Sequence, residues 1–357
     1  METILKGERR AERMEEKILS LIIPSYNAER FLRRGLDSFL ISDGARRHLE
    51  VWVISDGSSD RTDEIAKSYA VQYPDVFHFF RKENGGHGSA INAGVKLISG
   101  KYFKVIDADD WVDQKGLETL IHDLADCDSD VVISNYQEYD IGRDRYTPRR
   151  TELSDDRRTY QLAEIMEEWD KVHACMTFWG ITYRTDFYLK QNYQLLEGVF
   201  YEDQEYATIP LSRAESISFS EAFVYVYRLG DVNQSVSGAN QVKRIGHLAK
   251  VIKALQAFES QAEQLPAGGF DYWKKKTSMV IVSFYQITLL VNRNRVQGEK
   301  QADQLNRWLE KTSPTLLAAV RKKYQIFMLF HRIHMSEAAY KLLVPPVLRV
   351  LRRMKVW

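Results

Sequence analysis

The run Asp107-Ala108-Asp109-Asp110 follows directly on the strand-like stretch Tyr102-Phe103-Lys104-Val105-Ile106. In an extended segment residues i and i+2 share a side, so Asp107 and Asp109 can offer two carboxylates to one point at a strand end. Hard divalent cations such as Mg²⁺ or Mn²⁺ take oxygen ligands and often complete their shell with water and substrate phosphate. The pair therefore predicts a seat for a metal-bound nucleotide diphosphate, with Asp109 and Asp107 as ligands. Taken alone, Asp-x-Asp is more simply a solvated turn that caps the next helix, and its surroundings must decide.

Those surroundings alternate strand and helix over residues 18–140. Ile18–Pro24 is an apolar run ended by proline, and Glu29–Leu40 has helical spacing through Phe31, Leu32, Leu36 and Phe39. Glu50–Ser55 reads as a strand, and Asp60 is placed to cap a helix over Arg61–Tyr73. Val76–Phe80, Tyr102–Asp107 and Asp130–Tyr136 read as further strands, separated by helices over Gly88–Ser99 and about Asp113–Ala125. The pattern predicts an α/β fold, a mostly parallel sheet flanked by helices. Such sheets bind ligands outside the carboxyl ends of their strands. The polar residues collect at those ends: Ser25-Tyr26-Asn27, Asp56, Asn84-Gly85-Gly86, then Asp107 and Asp109.

Residues 141–160 are polar and read as an excursion or hairpin. Helical spacing returns around Gln161–Trp169 and Asp203–Arg213, and strand character at Thr177–Arg184 and Ile217–Arg228. From about Gln241 the chain reads as helical, broken at Leu265–Gly269 and by Pro314, Pro345 and Pro346. After those last prolines, Val347, Val350, Leu351 and Met354 share one helical face and Arg349, Arg352 and Arg353 the other. A basic amphipathic tail suits an anionic membrane surface, or packs its apolar stripe on its own protein.

With 357 residues, 44% of them hydrophobic, the chain can bury a substantial core. Lys and Arg total 50 against 49 for Asp and Glu, so nothing calls for nucleic acid as partner. Two cysteines, Cys127 and Cys175, make neither a disulfide framework nor a zinc site and favour a reducing, cytoplasmic compartment. Met1–Lys17 is charged and lacks the apolar stretch of a signal peptide. Met279–Val291 is shorter than the roughly 20 residues of a spanning helix and reads as a buried one.

Five pieces in order, Ile23-Pro24-Ser25-Tyr26-Asn27-Ala28-Glu29, Ser55-Asp56-Gly57-Ser58-Ser59-Asp60, Asn84-Gly85-Gly86, Asn92-Ala93-Gly94 and Asp107-Ala108-Asp109-Asp110, resemble the family 2 glycosyltransferases. The resemblance implies the GT-A nucleotide-sugar-binding fold and an inverting, metal-dependent (Mn²⁺ or Mg²⁺) transfer of a hexosyl or N-acetylhexosaminyl group. By position, Pro24, Tyr26 and Asn27 would shape the nucleotide pocket and Asp56 would accept from the base ring NH. Asn84 would lie against the nucleoside, Asp107 would reach ribose or metal, and Asp109 would hold the metal. Tyr201-Glu202-Asp203-Gln204 is similar to the family's Glu-Asp pair, with Asp203 as general base and Glu202 as second choice. Arg228, with Ser235 or Ser237, would clamp the diphosphate. Trp179 stands where the family has an acceptor wall, although a core role suits it better.

The resemblance implies a charged extension (1–17), a GT-A domain (18–235, with a nucleotide-binding half 18–140 and an acceptor half 141–235) and a helical region (236–357) with the basic tail. Where many relatives carry arginine just before the Asn-Ala-Gly piece, this chain has Ile91, and His87 is the candidate replacement. Gln304-Leu305-Asn306-Arg307-Trp308 spells a signature of processive synthases, but lies far from the Glu-Asp pair and reads as coincidence. Uridine is the expected base, and the acceptor a cell-envelope, capsule or other glycan, free or lipid-linked, met at the inner face of the cytoplasmic membrane. The helical region could carry a homodimer interface. Two alternatives differ in chemistry. A nucleotidyltransferase would show a glycine- and lysine-rich loop where Pro24-Ser25-Tyr26-Asn27 stands, and a non-catalytic sugar-nucleotide binder would not need Asp107, Asp109 and Asp203 together.

Overall fold

Every residue of Leu19–Ser25 is buried, as a strand covered on both faces must be. This strand, β1, is followed by β2 (Leu49–Asp56), β3 (Phe77–Lys82), β4 (Tyr102–Val105) and β5 (Trp111–Val112). Then come β6 (Val131–Asp140), β7 (Arg145–Arg149), β8 (Ile181–Arg184) and β9 (Ile217–Leu229). The computed structural model describes residues 17–153, 159–230, 238–340 and 342. The charged N-terminal residues 1–16, Ser235, Ser237 and the basic tail after Leu342 lie outside them.

Among the described residues the strands form one nine-stranded sheet in the order β3-β2-β1-β4-β8-β6-β9-β5, with β7 beside β6. β1 pairs in parallel with both β2 and β4, and β2 with β3. The chain thus steps outward from β1 to β3 and then returns to the other side of β1. That reversal makes the β1/β4 boundary the topological switch point, outside whose carboxyl ends a crevice forms. The parallel character predicted from sequence belongs to these strands and to β6/β9, whereas β8, β7 and β5 pair antiparallel. Apolar alternation carries no strand direction, so the mixed half was not visible in the pattern. The polar excursion becomes the β6–β7 hairpin, with Tyr139 and Tyr146 facing each other at 4.7 Å.

The connecting helices have local causes. The Asp113 side chain caps Gln114–Ala125 by accepting from the Gly116 N–H at 2.8 Å. Leu117, Leu120, Ile121 and Leu124 form its buried stripe, each side chain worth about 1.5–3 kcal/mol in area removed from water. Helix Thr62–Gln72 begins one residue later than expected, and Asp60 accepts from the Thr62 N–H at 3.0 Å. The predicted 88–99 helix is His87–Gly94, packed on β1 and β2.

By packing, the described residues fall into two units. The first is the sheet unit, up to Gly198 plus Arg213–Gly230. The second joins Val199–Ser212 to the chain from 238 onward. Its helices are Gly238–Lys243, Ile245–Ala257, Gly269–Gln286, Arg295–Thr312 and Pro314–Arg332. Asn294 and Ser313 cap the last two, with Pro314 at the first helical position. Helix Gly269–Gln286 runs on into a π turn over Ile287–Val291, its buried face including Trp273, whose ring N–H donates to Leu255 O at 2.8 Å. Among the described residues no helix is long and apolar enough to cross a membrane.

Candidate functional site

The acids after β4 do not act alike. The Asp110 N–H donates to Asp107 O at 3.0 Å and closes a tight turn. Asp110 itself points inward, only 2% exposed. It accepts from the Arg228 N–H and the Tyr225 hydroxyl, each at 2.7 Å, and that hydroxyl accepts from the Asp107 N–H at 3.0 Å. Burial, with Asp109 and Asp107 close by, holds Asp110 well above the usual carboxylate range. Asp107 and Asp109 stay accessible, with side chains 28% and 38% exposed. Burial and the Asp107 charge push Asp109 upward, while Arg228 opposes the shift.

Arg228 reaches this turn from β9. Its Nη2 lies 3.3 Å from Asp109 Oδ2, its Nε donates to Asp109 O at 3.2 Å, and its guanidinium covers the Phe31 ring at 4.0 Å. A register shift between Ser134 and Tyr136 of β6 re-aims the end of β9 that carries Tyr225 and Arg228. The structure therefore brings Arg228 and Asp109 together. It also assigns Tyr225 and Asp110 the work of fixing the turn. No local sequence signal marks Tyr225 or separates the role of Asp110 from those of its acidic neighbours.

The loops after β1, β2 and β3 are knitted together. Asn27 adopts φ +50°, its Oδ1 accepts from the Ser59 N–H at 2.8 Å, and its own N–H donates to Ser58 Oγ at 3.2 Å. Tyr26 is 56% exposed. Pro24 is buried within β1, beyond the last residue paired with β4, where a missing N–H costs no ladder bond there. Asp56 is buried and engaged. Its carboxylate accepts from Lys82 Nζ at 2.8 Å and from the N–H groups of Gly85 (2.9 Å) and Gly86 (2.7 Å). Asn84 Nδ2 donates to Asp56 O at 2.9 Å. Asp56 is thus the post around which the 84–86 loop winds, and Gly86 completes the turn at φ +90°, a conformation that glycine adopts without strain.

That turn opens helix His87–Gly94, and His87 Nε2 lies 2.9 Å from Asp107 Oδ1. Ile91 is fully buried, so position 91 belongs to the packing of this helix on the sheet. The next residue, Asn92, clamps the segment before Gly198. Its Oδ1 accepts from the Leu195 N–H at 3.0 Å, and its Nδ2 donates to Leu195 O (3.0 Å) and Glu197 Oε1 (3.1 Å). A cavity of about 550 Å³ opens here, lined by Lys82, Asn84, Gly85, Asn92 and Glu197 among others. Trp179 is half-buried and stacks on Tyr227 at 4.2 Å. Its carbonyl, with that of Ile181, accepts from buried Lys104 Nζ at 2.7 and 3.0 Å. Burial lowers that lysine to about 7.

Glu202 and Asp203 belong to the second unit, at the start of the short helix Asp203–Tyr206. Glu202 is buried and Asp203 half-buried, with Gln204 Nε2 donating to Asp203 Oδ2 at 2.8 Å. Among the described residues no three His, Cys, Asp or Glu side chains gather as a self-sufficient metal cluster. Asp107 and Asp109 fit a cation that draws its remaining ligands from phosphate and water, because both carboxylates are accessible and Asp109 is crowded by the like charge of Asp107.

A topological switch point with paired carboxylates outside β4 and interlocked loops outside β1 and β2 is the arrangement of a GT-A sheet of the nucleotide-sugar-binding class. Residues 20–188 match the family described as Glycosyl transferase family 2, so this segment of the chain carries a family 2 glycosyltransferase domain. It is 26% identical over 226 residues to Glycosyltransferase GlyA of Streptococcus pneumoniae, covering 60% of this chain and 31% of that one. To the uncharacterized glycosyltransferase EpsJ of Bacillus subtilis it is 28% identical over 218 residues (59% and 61%). The chain thus spans about a third to three-fifths of these two relatives. In fold it resembles Staphylococcus aureus TarS 1-349 in complex with UDP-GlcNAc, with TM-score 0.64, 17% identity and coverage of 89% and 92%. It also resembles the mannosyltransferase PcManGT of Pyrobaculum calidifontis in complex with GDP-Man and Mn²⁺ (TM-score 0.50, 16%, 92% and 87%).

Proposed function

We propose that the chain moves a sugar from a UDP-sugar to a hydroxyl of a cell-envelope or capsule glycan, with inversion at the anomeric carbon. The observation that carries this reading is the β1/β4 switch point with Asp107 and Asp109 exposed at its mouth, in a chain that carries this family's domain. Tyr26, Asn27, Asn84 and the Asp56-held loop receive the nucleoside. Arg228 and His87, each already beside one of the two acids, offer donors to phosphate oxygens. Asp107 and Asp109 would hold Mn²⁺ or Mg²⁺, which would neutralise charge on the departing diphosphate.

Asp203 takes the proton from the acceptor hydroxyl as its oxygen bonds to the anomeric carbon, while the bond from that carbon to the phosphate oxygen breaks and UDP leaves. Its exposure favours it over buried Glu202. The complex of TarS with UDP-GlcNAc supports uridine and an N-acetylhexosamine. The sequence pattern of residues 345–357 supports an acceptor met at an anionic membrane surface. Asp203→Asn should keep donor binding by calorimetry and lose roughly 10²–10⁴-fold in sugar transfer. Transfer by the variant at the wild-type rate would remove the base from this scheme.

A further inference from the structure

Helix Gly269–Gln286 lies along Val199–Ser212 in a regular register within the second unit. Gly269 packs so closely on the Ser212 carbonyl that a Cβ there would collide with it. One turn on, the Tyr272 hydroxyl donates to Ala207 O at 2.7 Å. A further turn along the same buried face stands Lys276, only 6% exposed, and it meets the electrostatic field of Asp203. Helix numbers rise as segment numbers fall, 269 with 212 and 272 with 207, so the next turn, at 276, is carried toward the residues that precede 207. The spacing of three to four residues is that of one helix face.

A buried lysine is costly unless an anion accompanies it. We propose that Lys276 is a positioning residue for Asp203, holding its carboxylate ionised and fixed in direction for proton abstraction. The inference rests on the reading of Asp203 as base, and it gives the helical region a part in the chemistry. Burial lowers Lys276 to about 8 and Asp203 opposes that shift, so the ammonium is charged through neutral pH and loses its charge above it. The other ionisable groups near this pair in the second unit are Tyr201, Glu202 and Glu205 on the segment, Arg244 and His247 on the neighbouring helix and its cap, and Lys275. Tyr201 is raised by burial, with Arg244 opposing and Asp203 adding to the shift. Arg244 also covers the Phe200 ring at 3.5 Å, and His247 Nδ1 accepts from the Phe200 N–H at 3.2 Å. Of the lysines on helix Gly269–Gln286, Lys276 is the one on the buried face.

The test titrates Asp203 directly and needs no substrate. In the full chain labelled with ¹³C at aspartate side-chain carboxyls, the Asp203 signal is the one absent from Asp203→Asn. Removing a nearby positive charge disfavours the carboxylate, so Lys276→Met should move its midpoint up by about one unit or more, and Lys276→Arg should restore it. Methionine removes a buried charge while keeping length, so the fold should persist; Lys276→Gln is the second variant if it does not. An unmoved midpoint in a folded Met or Gln variant, or failure of Arg to restore it, overturns the pairing. If the midpoint moves as expected but Asp203→Asn still transfers sugar normally, the pairing stands and the base assignment falls.

Discussion

Three acids within four residues carry two different duties, and exposure separates them. Asp107 and Asp109 face outward, where substrate charge can reach them, and Asp110 is spent on holding the turn. The Tyr225 hydroxyl is the hinge of that division, because it accepts from the Asp107 N–H and donates to Asp110. Tyr225→Phe leaves a buried N–H without its acceptor and a buried carboxyl without one donor. The loss should be roughly 1–3 kcal/mol for each group stranded, seen as a lower melting temperature. UDP affinity measured by calorimetry should fall as well, because Asp107 then lacks its anchor. A variant that melts and binds as wild type does would show the turn to be held elsewhere.

The turn stays in place only if β9 and the helix before it keep their spacing. Helix Gln114–Ala125 lies on β9 with Gly116 directly against the Phe223 carbonyl, and an added Cβ would collide with backbone there. Gly116→Ala should therefore destabilise the chain by about 1–3 kcal/mol despite alanine's better helix propensity, as read in urea unfolding. Unchanged stability would mean that the helix shifts freely along the strand. This scale also shows what the sequence could carry. Polar residues after each apolar run placed the loops after β1, β2, β3 and β4, because those signals are local. Strand direction, the β6/β9 bulge and the reach of Tyr225 and Arg228 across more than a hundred residues to Asp110 and Asp109 are long-range, and no periodicity encodes them. Asp56 was legible as a strand-end acid but not as the post of the 84–86 loop. One signal went unused: a lysine inside the apolar run of β4, Lys104, which holds the Trp179 and Ile181 carbonyls.

For the whole chain, charge balance decides how a ligand test should be read. A net charge of +1 gives little general attraction for polyanions, so a nucleotide that stabilises the protein must do so through specific groups. Binding to the folded state alone raises stability by RT ln(1 + [L]/Kd), about 2.7 kcal/mol at a hundredfold excess over Kd. UDP-GlcNAc should therefore raise the melting temperature by several degrees, and more with Mn²⁺ than with EDTA, because Asp107 and Asp109 face each other's charge without a cation. GDP-Man and inorganic triphosphate at the same concentration should shift it little, the first because it presents the wrong base and the second because it presents none. Equal shifts from UDP-GlcNAc and triphosphate would reduce the site to a phosphate cradle and remove the uridine assignment. Equal shifts with Mn²⁺ and EDTA would leave Arg228 and His87 as the donors to the diphosphate and make the two aspartates ligands of sugar or ribose hydroxyls.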